Sequence, residues 1–114
     1  MTVTFEQYNQ ASADYQTGVN NVNRAIDELM GVRAAIEVMK QRVSRVTDQA
    51  KVDERYTVLV YLQNLLERLE REYPDVLAKS EAARHEYERL AREIDWDEYN
   101  LALNARAAVP ESEE

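Results

Sequence analysis

The side chains that could do chemistry in this chain are its carboxylates, its single histidine and its tyrosines, for it contains no cysteine. His85 has Glu81 and Arg89 one helical turn to either side, with Glu88 close by. A carboxylate–histidine metal site needs further ligands converging from another helix, and the Glu-x-x-His pair of di-iron bundles is missing. His85 therefore reads as a surface residue. The acids stand beside arginines, as in Glu67-Arg68, Glu70-Arg71-Glu72 and Glu88-Arg89. That is the pattern of a hydrated helix face, whereas catalytic carboxylates sit in pockets that shift their pKa. No glycine-rich turn is available to cradle a phosphate. The expectation is a protein that is not an enzyme, with no catalytic residue, no metal and no cofactor.

Two stretches suggest recognition of another protein. Residues 7–23 hold seven neutral amides, Gln7, Asn9, Gln10, Gln16, Asn20, Asn21 and Asn23, against the single charge of Asp14. Solvated helix faces normally carry Glu and Lys, and interfaces deplete those charges. Asn9, Gln16 and Asn20 are accordingly candidate partner contacts. In the second stretch, Ile94 to Leu103, the side chains of Trp96, Tyr99 and Leu103 fall on one helical face at the spacing of groove-binding anchors, with acids around them. The same spacing would let a short helix fold back over the open end of a larger structure. Of the seven tyrosines, Tyr8, Tyr15, Tyr73 and Tyr87 occupy seam positions, where the ring fills a core and the hydroxyl reaches its wet edge. Tyr61 and Tyr99 are less committed.

These residues must be positioned by helices. Phe5, Ser12, Val19 and Ile26 recur every seventh residue, as do Tyr8, Tyr15, Val22, Leu29, Ile36, Val43 and Ala50. Apolar residues at alternating gaps of three and four define a long helix with a coiled-coil-like seam. Thr4 and Gln7 have capping-box spacing, and Val3 and Tyr8 stand where a hydrophobic staple would fix the entry. The flank Ala11, Gly18 and Ala25 is small, so a second backbone can approach closely there. It then becomes Val32, Met39 and Val46 while the opposite seam turns charged at Arg33 and Lys40, the drift of a 3.6-residue helix against a seven-residue repeat.

A polar interval, Thr47 to Lys51, precedes Asp53 and Glu54, which suit the positive end of a new helix. The seam resumes with Val52, Leu59, Leu66, Tyr73, Ser80, Tyr87 and Ile94 in one row and Leu62, Leu69, Val76, Ala83 and Leu90 in the other. The fold class is thus all-α: an antiparallel hairpin over residues 1–94 that turns near 47–53, each arm on the order of 60 Å long. Gly31 and Pro74 are the places where the arms could break into a shorter four-helix bundle, and folding at residue 50 sets Pro74 level with Ile26 to Gly31. Asp95 and Glu98 repeat the capping spacing, so a short C-terminal helix is expected over 95–108, followed by a disordered acidic tail at 109–114.

Charge bounds the partners. The net charge is -8; residues 1–50 carry five Arg/Lys against six Asp/Glu, and from Glu93 onward seven acids face Arg106 alone. Such a balance opposes direct nucleic-acid binding, which needs a basic face. No apolar run longer than Val58 to Leu62 approaches the ~20 residues of a membrane span, so no membrane association is expected. A soluble protein of the cytoplasm follows, or of a virion if the source is viral. Small secreted hairpin effectors carry Trp-x-Gly in their turn, and that tripeptide is missing here. The sequence reading is a helical assembly or interaction protein, a homo-oligomer or the partner of another protein, acting as structural subunit, adaptor or scaffold. A small acidic inhibitor that occupies a basic nucleic-acid-binding site on a target is the alternative.

Overall fold

A computed structural model describes residues 3–107. Over that span the chain forms three helices, α1 (Phe5–Ser44), α2 (Gln49–Glu93) and α3 (Trp96–Ala107). α1 and α2 pack along their lengths as an antiparallel hairpin, and the molecule measures 72 × 37 × 16 Å. Its radius of gyration is 24.0 Å, against ~13 Å for a compact domain of this length.

Local chemistry sets each helix end. At the start of α1 the Gln7 amide donates to Thr4 Oγ1 at 3.1 Å, and the Thr4 amide donates to Gln7 Oε1 at 2.9 Å. Both halves of the capping box are therefore made, and Val3 and Tyr8 are buried together beside it. α1 ends at Ser44, with the Arg45 amide donating to the carbonyls of Arg42 and Val43. Arg55 of α2 also donates to the Arg42 carbonyl, at 3.2 Å, so α2 supplies a partner to the exposed carbonyl end of α1.

The connection is shorter and earlier than the sequence suggested. Asp48 is the N-cap of α2 and accepts the Ala50 amide at 3.0 Å. Ala50 thus belongs to the first turn of α2 and does not extend the α1 seam. Asp53 lies one turn inside α2, accepting from Gln49 Nε2 at 2.9 Å. A capping aspartate satisfies a backbone donor directly, which outweighs the weaker preference of Asp53 and Glu54 for the helix's positive end.

Neither arm breaks. α1 is helical through Gly31 and α2 through Pro74, so the four-helix alternative does not form. A glycine costs a helix about 1 kcal/mol and a proline about 3 kcal/mol, but the seams on either side keep their register and continue to bury apolar surface. Leu29, Ile36, Leu59 and Leu90 are each buried between the arms, contributing on the order of 2 kcal/mol apiece.

The two glycines differ in kind. A Cβ built on Gly18 would stand 2.9 Å from Ser80 Cα, whereas one on Gly31 would meet nothing within 4 Å. Gly18 and buried Ser80 therefore mark a close approach of the arms, as the small flank predicts. Farther along, Tyr73, next to Pro74, lines one groove with Ile26, Leu29 and Met30, so Pro74 lies near the level expected for it.

α3 is capped by Asp95, whose Oδ1 accepts the Glu98 amide at 3.1 Å. It turns back onto the open end of the hairpin. Its described part ends at Ala107, and the expected terminus at Ala108 and the tail at 109–114 lie outside the described residues.

Candidate interaction site

The open end is closed by aromatic rings. Tyr8 of α1 meets Tyr87 of α2 and both Trp96 and Tyr99 of α3, with ring centroids 5.3–5.4 Å apart. Phe5 stands edge-on to Tyr99 at 5.5 Å. Beneath the rings lie Val3, Ala11, Leu90 and Ile94. The polar tips are also placed: Tyr8 and Tyr87 hydroxyls lie 3.0 Å apart, Trp96 Nε1 donates to the Ala91 carbonyl at 2.9 Å, and the Tyr99 hydroxyl donates to Asn9 Oδ1 at 3.2 Å. The bond to Tyr87, then burial, pushes the Tyr8 phenol up to about 12, because both favour the neutral form.

The sequence-derived candidates separate into two groups. Trp96, Tyr99 and Asn9 are brought together at the open end, where Trp96 and Tyr99 cover the chain's own core and Asn9 anchors the Tyr99 hydroxyl. Leu103 shares their helical face but is 44% exposed, and Leu101 on another face is 72% exposed. The last turns of α3 therefore present leucines to solvent. Gln16 and Asn20 are exposed and joined to each other, Gln16 Nε2 donating to Asn20 Oδ1 at 3.1 Å.

Asn9 fixes which side of the hairpin this is. Asn9, Gln16, Asn23 and Met30 are seven apart and form one row, next to the row Ser12, Val19 and Ile26. In these two rows α1 carries no charge until Arg33, while exposed Asp27 borders them, four residues from Asn23 and three from Met30. α2 contributes Tyr73, Leu77 and Arg84, the last bonded to Glu81 at 2.7 Å with its Nε sheltered and without an acceptor. Midway along, Ile26, Leu29, Met30 and Tyr73 line a shallow groove of about 260 Å³ closed at one end by the Arg33–Glu70 pair at 3.4 Å. Ile26 and Met30 are 38% and 61% exposed there, and Leu77, outside the groove, is 39% exposed.

The opposite side is different in character. Its groove near the open end, about 550 Å³, has a floor of Ala11, Ala83 and Leu90 and a rim of Glu6, Asp14, Glu86 and Arg89. Arg89 bonds Glu86 at 2.6 Å and Glu93 at 3.1 Å. The bond to Arg89 holds the exposed Glu86 carboxyl below its usual range, and the bond to Glu86 raises the guanidinium. These are solvated ion pairs of the kind that contribute little.

His85 is exposed and lies 3.9 Å from Glu81. Among the described residues no group of three His, Cys, Asp or Glu is placed to hold a metal ion, and no helix is long and apolar enough to cross a membrane.

Sequence reasoning missed two features. Leu77 and Met30 fall outside the seam rows, though Met30 could have been found as the continuation of Asn9, Gln16 and Asn23. The turn is also basic: residues 40–55 hold Lys40, Arg42, Arg45, Lys51 and Arg55 against Asp48, Asp53 and Glu54. Dividing the chain at residue 50 hid this, because the fold brings both flanks of that boundary to one tip.

The chain matches no protein-family model, no curated protein and no solved structure.

Proposed function

We propose that this chain is a non-enzymatic helical assembly protein, a structural subunit, adaptor or scaffold that works by presenting its long faces to itself or to a protein partner. The observation that carries this reading is the surface the hairpin leaves uncovered. The accessible area is 8851 Å², against ~6,450 Å² for a compact monomer of this mass. Even if the nine residues outside the described span contributed as a fully extended chain, about 1,400 Å², on the order of 1,000 Å² would remain. A standard protein interface takes ~800 Å² from each partner.

The exposed apolar residues add to this support. Ile26, Met30, Val38, Tyr56, Val58, Tyr61 and Leu77 stand along the hairpin away from the part that α3 covers. Of these, Ile26 and Met30 share one groove, and it is grouped exposed apolar surface, not residues exposed singly, that marks an interaction site.

A second reading, an acidic inhibitor of a basic nucleic-acid-binding site, draws support from Glu93, Asp95, Asp97 and Glu98 gathered at the open end. Light scattering behind size exclusion, over a range of concentrations at low and high salt, separates the two. A stable oligomer that persists at high salt supports the assembly reading. A monomer at every concentration that captures a basic protein only at low salt supports the inhibitor instead.

A further inference from the structure

We propose that the α3 side of the hairpin is a self-complementary surface on which a second copy of this chain packs antiparallel, about a two-fold axis near Val19 to Asn23. The proposal deepens the assembly reading and rests on it. Three observations converge.

First, the α3 side is poor in charge in its middle, where Asp27 stands at its edge and Arg33 is paired with Glu70. From Ser12 to Met30 the α1 residues of this side are Ser12, Gln16, Val19, Asn23, Ile26 and Met30, a span of ~27 Å at 1.5 Å per residue, and α2 adds Leu77 and an Arg84 already bonded to Glu81. Charge depletion with exposed apolar and amide groups is the composition of an interface core.

Second, that span lies near the middle of α1, which runs from Phe5 to Ser44. A patch at mid-length can meet its own copy about a two-fold axis with both molecules overlapping along their full length, so the direction of packing is left to the charges at the two ends. An isologous contact of this kind closes as a dimer.

Third, the two ends carry opposite charge. The turn, residues 40–55, holds five Arg/Lys against three Asp/Glu, while residues 86–107, at the open end, hold three Arg against six Asp/Glu. Antiparallel packing lays the basic turn of each copy beside the acidic α3 end of the other. Parallel packing would place like beside like at both ends, which opposes association. The projecting leucines of α3, Leu101 and Leu103, would then overhang the partner's turn half, where Tyr56 is 58% exposed.

The natural absence of cysteine makes single-cysteine variants a clean test. Asn23→Cys, close to the axis, should form a disulfide-linked dimer on mild oxidation. Lys40→Cys alone should not, but mixed with Asp97→Cys it should be joined by a short bismaleimide. Efficient crosslinking of Lys40→Cys to itself would overturn the antiparallel arrangement while leaving the assembly reading intact. A monomer at all concentrations would overturn the self-packing proposal and leave the assembly reading to a different protein partner.

Charge variants provide a second route. Asn23→Glu sets like charges across the axis and should raise the dimer Kd at least tenfold with helical content unchanged. Lys40→Glu with Arg45→Glu should weaken the dimer similarly, and adding Asp97→Lys and Glu98→Lys in the same chain should restore it. No weakening by Asn23→Glu, or no restoration by the compensating pair, would overturn the proposal.

Discussion

The hydroxyls of Tyr8 and Tyr87 lie 3.0 Å apart, tying the second turn of α1 to the last turns of α2 across 79 residues of chain. Around this pair the rings of Tyr15, Trp96 and Tyr99 close at 5.3–5.5 Å.

This contact predicts an alkaline transition. The Tyr8 phenol titrates in the folded protein at about 12, above the ~10 of an unfolded tyrosine. A raised folded-state pKa contributes stability that is whole below the unfolded value and lost as pH climbs through the folded one. Tyrosinate absorbance and helical signal should show the open end loosening between about pH 10 and 12. Tyr8→Phe should flatten that pH dependence and cost about 1 kcal/mol at neutral pH.

The two glycines should respond oppositely. Gly18→Ala drives a methyl to 2.9 Å from the Ser80 backbone, and overpacking of this kind costs roughly 1–3 kcal/mol. Gly31→Ala meets open space and should gain about 0.8–1 kcal/mol from helix propensity. Chemical denaturation of the two variants checks both signs at once.

Pro74 lies inside α2 and is exposed. Pro74→Ala restores a donor to the helix, so the melting temperature should rise, by about 4 °C or more for each kcal/mol recovered. A lower melting temperature would mean that the proline shapes α2 to fit α1.

Trp96 is the chain's one tryptophan and is 42% exposed. Trp96→Ala removes its edge contacts to Tyr8 and Tyr99 and the bond to the Ala91 carbonyl. Because the ring is only partly covered, the loss should be about 1–2 kcal/mol, below the 3–5 of a fully buried ring. In the native protein its fluorescence should report docking of α3, shifting to the red when α3 is released and before α1 and α2 separate.

Much of this architecture could be read from the sequence because its determinants are local or periodic. The Thr4 box, the Asp95 cap and the two seams are spacings, and the structure builds them as spaced. Gly18 was legible for the same reason, as one of three small residues seven apart. What escaped depended on contacts distant in sequence. Whether Gly31 and Pro74 break a helix depends on how much the flanking seams bury. Leu103 shares a face with Trp96 and Tyr99, yet only the length of the hairpin decides which of them has something to cover. The α3 side shows in the sequence only in fragments: its amides stand out and its apolar centre does not, because Leu77 reaches it from the other arm.

The same geometry orders the assembly of the hairpin in time. Cross-arm bonds join residues 13 apart at the turn, in Arg55 to Arg42, 37 apart at mid-length, in Arg33 to Glu70, and 79 and 90 apart at the open end. Closing short loops first costs the least entropy, so the arms should zip from the turn outward. The aromatic cluster, which forms last, then acts as a latch: without it the zipper would fray backward from its free end, and the ring contacts hold shut the part of the molecule that sequence separation makes hardest to close.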